Sequence, residues 1–350
     1  MRKKRFWAGA LAALTAAGAF AVVLAGSSSA HPSATFKAAL ISDIGRFNDK
    51  SFNQSQLFGL NRAASQLHIN KIALESKSSS DYIPNMTTAI REGANLVMAA
   101  GYLMAGDLTT EAAQFPKTHF TITDDAVSGP LNTDFKGKDV HNIEGLTYAT
   151  NESSFLVGCM AALVTVKYDK AKPVIGSVLG IKIPPVDIFL AGYQAGAKKC
   201  VPNITVLHGY SNSFTAQDVC KSIAENQIKQ NAHVIFQIAG GCGLGALSAA
   251  KDAGIWGVGV DQDQSFLGTH ILTSAVKRVD VGIFNAIKAA KAGKFKGGTN
   301  LNFNLANHGV YLGKFSPKLK PAEKKALTAK LNALKKQIIR GKIKVPRTLG

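Results

Sequence analysis

Short apolar runs alternate along this chain with segments whose apolar residues recur at helical spacing. The runs predict strands at Lys37–Ile41, Lys71–Glu75, Asn95–Ala100, His119–Thr123, Val174–Leu179, Ile204–His208, His233–Ala239 and Trp256–Val260. Between them, helices are predicted over Phe52–Gln66, Met86–Glu92, Glu152–Lys167, Val186–Lys199, Ala216–Gln230 and Leu244–Ala253. Such alternation is the pattern of parallel sheets with helices on both faces. The strands fall into two groups flanking Tyr148. The predicted fold is therefore α/β, with two doubly wound parallel-sheet lobes joined by a hinge. Residues 31–147 plus 274–303 form the expected N-terminal lobe, and 148–273 plus 304–350 the C-terminal lobe. Ile271–Thr273 and Val310–Gly313 are expected to recross between them. Ser76–Ser80 reads as a loop, and Leu327, Leu331, Leu334 and Ile338 mark an amphipathic helix near the end.

In open parallel sheets a ligand sits beyond the carboxyl ends of the strands. Asp43, Asp124, Gly240–Gly245 and Asp261 each follow a predicted strand, which places them together at a cleft. Taken singly, each also suits a helix cap or a turn.

Composition adds a compartment. Arg2, Lys3, Lys4 and Arg5 precede an uncharged stretch from Phe6 to Gly26 and then the small residues Ser28-Ser29-Ala30. This reads as an export signal over residues 1–30, cut near Ala30; the length of the stretch leaves an uncleaved anchor as the alternative. Leu24-Ala25-Gly26 precedes Ser27, so the thiol on which a lipoprotein is acylated is absent there.

The formal net charge is +19, with only Glu323 as an acid between Lys314 and Arg347. Phe315 is the one aromatic in that segment, short of the interleaving of aromatics with cations that nucleic-acid binding would require. A solvated helix face, or one drawn to an anionic envelope surface, accounts for them. Four cysteines in an exported chain suggest two disulfides. Cys220 opens a predicted helix and Cys242 follows the next strand, so both lie at one end of a lobe; Cys159 and Cys200 are left to pair. The cysteines lack metal-type spacing and the histidines are scattered, so neither metal nor cofactor is expected.

Gly241-Cys242-Gly243-Leu244-Gly245-Ala246 fits the G-x-G-x-x-A dinucleotide turn, with Asp261 beyond it, and is the one argument for an NAD-type oxidoreductase. Export, a mid-chain position and the lack of an acid–base pair argue against that. A tight turn bringing backbone near a ligand is the plainer account. No G-x-S-x-G elbow or phosphate-binding P-loop occurs.

The string from Asp43 to Gln54 is the most distinctive. Asn48 or Asp49 suits a helix cap, and the polar residues crowded around Phe52, among them Asn48 and Asn53, suit a flat hydrogen-bonding ligand. This string, with Gly59, resembles the opening of the basic membrane protein family, the nucleoside-binding proteins of ABC importers. Further stretches match in order: Thr121–Asp124, Asn151–Gly158, Ala239–Gly245, Gly257–Gln264, Thr273-Ser274 with Lys277–Asp280, and Gly341–Pro346.

The resemblance implies a type I periplasmic-binding fold with a ligand between hinged lobes, an ABC permease as partner, and no enzymatic activity. It implies a purine nucleoside whose base lies between Phe52 and a second ring, for which Phe214 is the candidate. Asp124 would bond the base. Asp261, helped by Lys277, would take the ribose hydroxyls, and Asn53 and Gly241 would add polar and backbone contacts. A monomer is expected, with sensing without transport as a further alternative. Arg46-Phe47 departs from the family's small or aliphatic residues, and is expected to narrow the cleft or add an ion contact.

Overall fold

The computed structural model describes residues 35–349. The expected export signal and Ser27 lie outside them. The elements run β1 (Lys37–Ser42), α1 (Phe52–Leu67), β2 (Asn70–Leu74), α2 (Tyr82–Arg91), β3 (Leu96–Ala100), α3 (Ala105–Gln114), β4 (His119–Thr123) and β5 (Ile143–Tyr148). There follow α4 (Thr150–Thr165), β6 (Val174–Leu179), α5 (Pro184–Cys200), β7 (Thr205–Tyr210), α6 (Gln217–Lys229), β8 (Ala232–Ile238), α7 (Gly243–Asp252) and β9 (Trp256–Asp261). The chain ends through β10 (Ile271–Lys277), α8 (Val279–Lys291), β11 (Asn300–Phe303), β12 (Val310–Leu312) and α9 (Pro321–Ile339).

Two six-stranded sheets form, ordered β11-β5-β4-β3-β1-β2 and β12-β10-β9-β8-β6-β7. Every ladder is parallel except β10 with β12. Both sheets repeat one order, so each has its switch point where the first strand meets the third: β1 beside β3, and β6 beside β8. Burial follows that order. The central β3, Leu96–Ala100, is buried throughout, as a strand covered on both faces must be, whereas the edge strand β2 carries exposed polar positions.

The chain crosses between sheets later than expected. Ile271–Thr273 and Val310–Leu312 do not recross; they are neighbours in the second sheet. Parallel pairing carries β10 on to Val276 opposite Asp261. The crossing therefore falls near Arg278, and α8 and β11 return to the first sheet, where β11 pairs with β5.

Glycines set the helix contacts. A Cβ on Gly158 of α4 would lie 2.0 Å from the Tyr193 carbonyl oxygen, and one on Gly196 of α5 would lie 1.9 Å from that of Phe155. Cys159 and Cys200 tie the same two helices, with sulfurs 1.98 Å apart, and Cys220 and Cys242 meet similarly at 1.92 Å. In α1, Gly59 lets α8 approach, since its Cβ would sit 2.4 Å from the Asp280 carbonyl oxygen. The terminal helix α9 buries Leu327, Leu331, Leu334 and Ile338 and exposes nearly all its lysines. Among the described residues no helix is long and apolar enough to cross a membrane.

Candidate functional site

The carboxyl ends of both sheets face one cavity. Each switch point contributes: Asp43 and Gly101 follow β1 and β3, while Ile238 and Gly240 come from the end of β8. Two of the turns involve backbones that L side chains rarely adopt. Asp124 leaves β4 at φ 72° and Asp261 closes β9 at φ 63°, the left-handed region that Asp tolerates better than bulkier residues. Those turns carry both carboxyls into the cavity wall.

From the first sheet, the loop after β1 builds a rigid polar shelf. Asp43 Oδ1 accepts from the Gly45 N–H at 2.7 Å and from Asn53 Nδ2 at 2.7 Å. Asp49 accepts from the N–H groups of Ser51, Asn53 and Gln54 at 2.8–3.0 Å, so it, not Asn48, caps α1. Asn48 is exposed and does not line the cavity, which removes it from the predicted site. The carboxylate beside it outcompetes it for the free N–H groups at the helix start.

The two rings predicted to flank a ligand enter one from each lobe. Both are seated by a glycine at a strand end. A Cβ on Gly101 would lie 3.3 Å from Phe52 Cε1, and one on Gly180, which follows β6, would lie 2.3 Å from Phe214 Cε1. The Cys242 N–H donates to the Phe214 carbonyl at 2.9 Å. Gly240, at φ 55°, rather than Gly241, reaches the cavity; Gly241 packs behind it against the Phe214 carbonyl.

The rest of the glycine turn serves packing. Added Cβ atoms at Gly243 and Gly245 would strike Gln237 Oε1 at 1.8 Å and the Gln217 carbonyl oxygen at 1.8 Å. Arg46 is exposed and Phe47 buried, and neither lines the cavity, so they do not narrow it as expected. The Phe47 N–H is instead engaged by Glu75 Oε1 at 2.8 Å.

Lys277, only 2% exposed, ends β10 and crosses to the other lobe, where its ammonium pairs with Asp124. It lies 4.6 Å from the Phe52 ring centre, 5.3 Å from that of Tyr148 and 5.7 Å from that of Phe189. Further bonds join the lobes: Ser51 Oγ donates to Asp261 Oδ2 at 2.6 Å, Gln264 Nε2 to the Lys50 carbonyl at 2.8 Å, and Gln262 Nε2 to Gln54 Oε1 at 3.4 Å.

The cavity thus gathers four carboxyls, Asp43, Asp49, Asp124 and Asp261, around one ammonium. Burial pushes the Asp43 carboxyl up to about 7 and that of Asp261 up to about 6, against lowering by Asn53 in the first case and by Lys277 in the second. Asp49 and Asp124 are raised too, again by burial. Such a site favours ligands rich in hydrogen-bond donors and disfavours anions. The N–H groups of Gly243, Leu244 and Gly245, which the dinucleotide reading would turn toward a pyrophosphate, bond to carbonyls of their own turn. Among the described residues no His, Cys, Asp and Glu group is arranged to hold a metal.

Asp43, Phe52, Asn53, Asp124, Phe214, Asp261 and Lys277 are brought together as predicted positions of one wall. Sequence reasoning missed Phe189, Tyr102 and Asp49. Phe189 reads as an ordinary buried position of α5, and nothing local distinguishes it. Asp49 carried a signal, being an acid just ahead of a helix.

Comparison with known families matches residues 36–348 to the family described as "ABC transporter substrate-binding protein PnrA-like". A relative named "ABC transporter nucleoside-binding protein BmpA", from Lactococcus lactis subsp. cremoris, is 34% identical over 334 residues, covering 89% of each chain. The "CD4+ T-cell-stimulating antigen" of Listeria monocytogenes is 32% identical over 372 residues, covering 98% of this chain and 99% of the relative. Among solved structures, an ABC transporter solute-binding protein from Aeropyrum pernix superposes with a TM-score of 0.77 at 24% identity, over 89% of this chain and 94% of that one. On the extent of these matches, the chain belongs to the PnrA-like family of ABC transporter substrate-binding proteins.

Proposed function

We propose that this protein captures a purine nucleoside outside the cytoplasm, as a monomer, and delivers it unchanged to an ABC permease. The observation that carries the reading is the cavity itself: two phenylalanines, one from each lobe, in a wall of four carboxyls. A purine offers two π-faces and edge N–H groups, and a ribose diol offers two donors that one carboxylate can accept. Phe52 and Phe214 bracket the base, Asp124 bonds its edge, and Asp261 takes the diol. The lobes close on the ligand from both sides, so occupancy and closure become one event that a permease can read.

The test is calorimetric titration of the protein with nucleosides, free bases, sugars and nucleotides. Purine nucleosides are expected to bind at micromolar concentration or tighter. Phe52→Ala is expected to weaken them by roughly 5–150-fold, the equivalent of about 1–3 kcal/mol of stacking. Nucleoside monophosphates are expected to bind at least about 100-fold more weakly, because a dianion would meet the carboxyl wall. Nucleotide binding as tight as nucleoside binding would overturn the reading.

A further inference from the structure

Beside the ligand cavity lies a second one that shares Tyr102, Asp124 and Pro185 with it. It runs between the lobes toward the hinge segment, bounded by the loop after β4, the start of α5 and the C-terminal tail. Its apolar lining includes Leu131, Pro184 and Ile188.

Two of its polar residues, Asp125 and Thr150, have unused capacity. Asp125 is 4% exposed; its Oδ1 accepts the Ala126 N–H at 2.8 Å, while Oδ2 has no partner. Thr150, 1% exposed, has a hydroxyl without a partner. Arg347, partly buried, brings a guanidinium to the same wall. Buried polar groups are ordinarily satisfied, so two such residues on the wall of one cavity call for hydrogen-bonding matter inside it.

We propose that this second cavity receives a polar substituent carried on the edge of the ligand's base, so that the protein binds base-modified nucleosides as well as their parents. The placement follows from the shared wall: Asp124, assigned above to the base edge, is also a wall of the second cavity. A substituent leaving that edge enters the second cavity rather than striking packed protein. Acceptor, hydroxyl and guanidinium together suit a side chain that both donates and accepts, such as a hydroxyalkyl or amide arm. The inference rests on the nucleoside reading, and the experiment separates the two.

Adenosine and N6-(2-hydroxyethyl)adenosine, with guanosine and its N2-substituted counterpart, would be titrated into the wild type and into Thr133→Trp. Thr133 lines the second cavity from an exposed position and is not part of the first. In the wild type, parent and substituted ligand are expected to bind within about threefold of each other. In Thr133→Trp the substituted ligand should weaken at least tenfold while the parent stays within twofold, corresponding to at least about 1.4 kcal/mol of selective loss. A wild type that binds the parent but rejects the substituted form by more than thirtyfold would overturn the inference and leave the nucleoside reading intact. A tryptophan variant that weakens both ligands equally would also overturn it. Silence toward every parent nucleoside would remove the nucleoside reading, and this inference with it.

Discussion

Asp43 and Asp261 hold protons at pH values where exposed carboxyls have lost theirs. Their folded-state values, about 7 and about 6, exceed the ordinary 3.8 because burial penalises the charged form. A raised folded value means the native state binds the proton more tightly than the unfolded chain does. The associated stability is complete below pH 3.8 and is lost as pH rises through about 6 and 7. For the ligand-free protein, the contribution of these two groups to the melting temperature should therefore fall from pH 4 to pH 7. Asp43→Asn and Asp261→Asn should each flatten that slope in thermal scans; an unchanged slope in both would refute the assignment. A diol that donates to Asp261 favours its ionised form, so binding near pH 5.5 should release protons, readable as a dependence of the binding heat on buffer.

Much of this wall was legible because Asp43, Asp124 and Asp261 each directly follow an apolar run. Asn48 misled, since nothing in the string decides whether it or Asp49 turns inward; the unbonded N–H groups of α1 decide it. Phe189 was hidden because its spacing is that of any core position.

At the scale of elements, a strand end and the residue it seats form one unit. Gly180→Ala would drive a methyl group into the Phe214 ring, 2.3 Å from where its Cβ would stand. The ring must move, so nucleoside affinity should fall about tenfold or more while the melting temperature changes by only a few degrees. An unaltered affinity would exclude Phe214 from the ligand wall. The paired cysteines act on neighbouring elements, and mass mapping of a non-reduced digest should return Cys159 with Cys200 and Cys220 with Cys242.

The central strands were readable because burial on both faces leaves unbroken apolar runs. Strand β5 was missed, since Glu144 and Gly145 interrupt it, and β11 was missed because Asn300 and Asn302 make an edge strand look like loop. Helix α8 was overlooked despite a readable period in Ile283, Ala286, Ile287 and Ala290. Its place in the first lobe comes from packing on α1, which no local pattern reveals.

Across the whole molecule, side-chain contacts hold the lobes together over the cavity, among them Lys277 with Asp124, Ser51 with Asp261, and Gln264 with Lys50. The first is the ion pair among them, with Lys277 only 2% exposed. Lys277→Met would leave Asp124 without its counter-charge, a change of the kind that costs about 3–5 kcal/mol. The variant should show a larger radius of gyration by small-angle X-ray scattering and at least tenfold weaker nucleoside binding. Equal dimensions and affinity would show that the pair contributes nothing to closure.

The path of the chain between the sheets has a consequence in time. Synthesis runs from the amino end, so β1 to β5 emerge first, yet the strand that covers the β5 edge is β11, at residues 300–303. Every strand of the second sheet but β12 is made in the interval. Throughout it, β5 presents an open row of hydrogen-bonding groups to whatever is near, the condition under which chains mispair with one another. The first lobe, although first made, is therefore completed only when the chain is nearly finished.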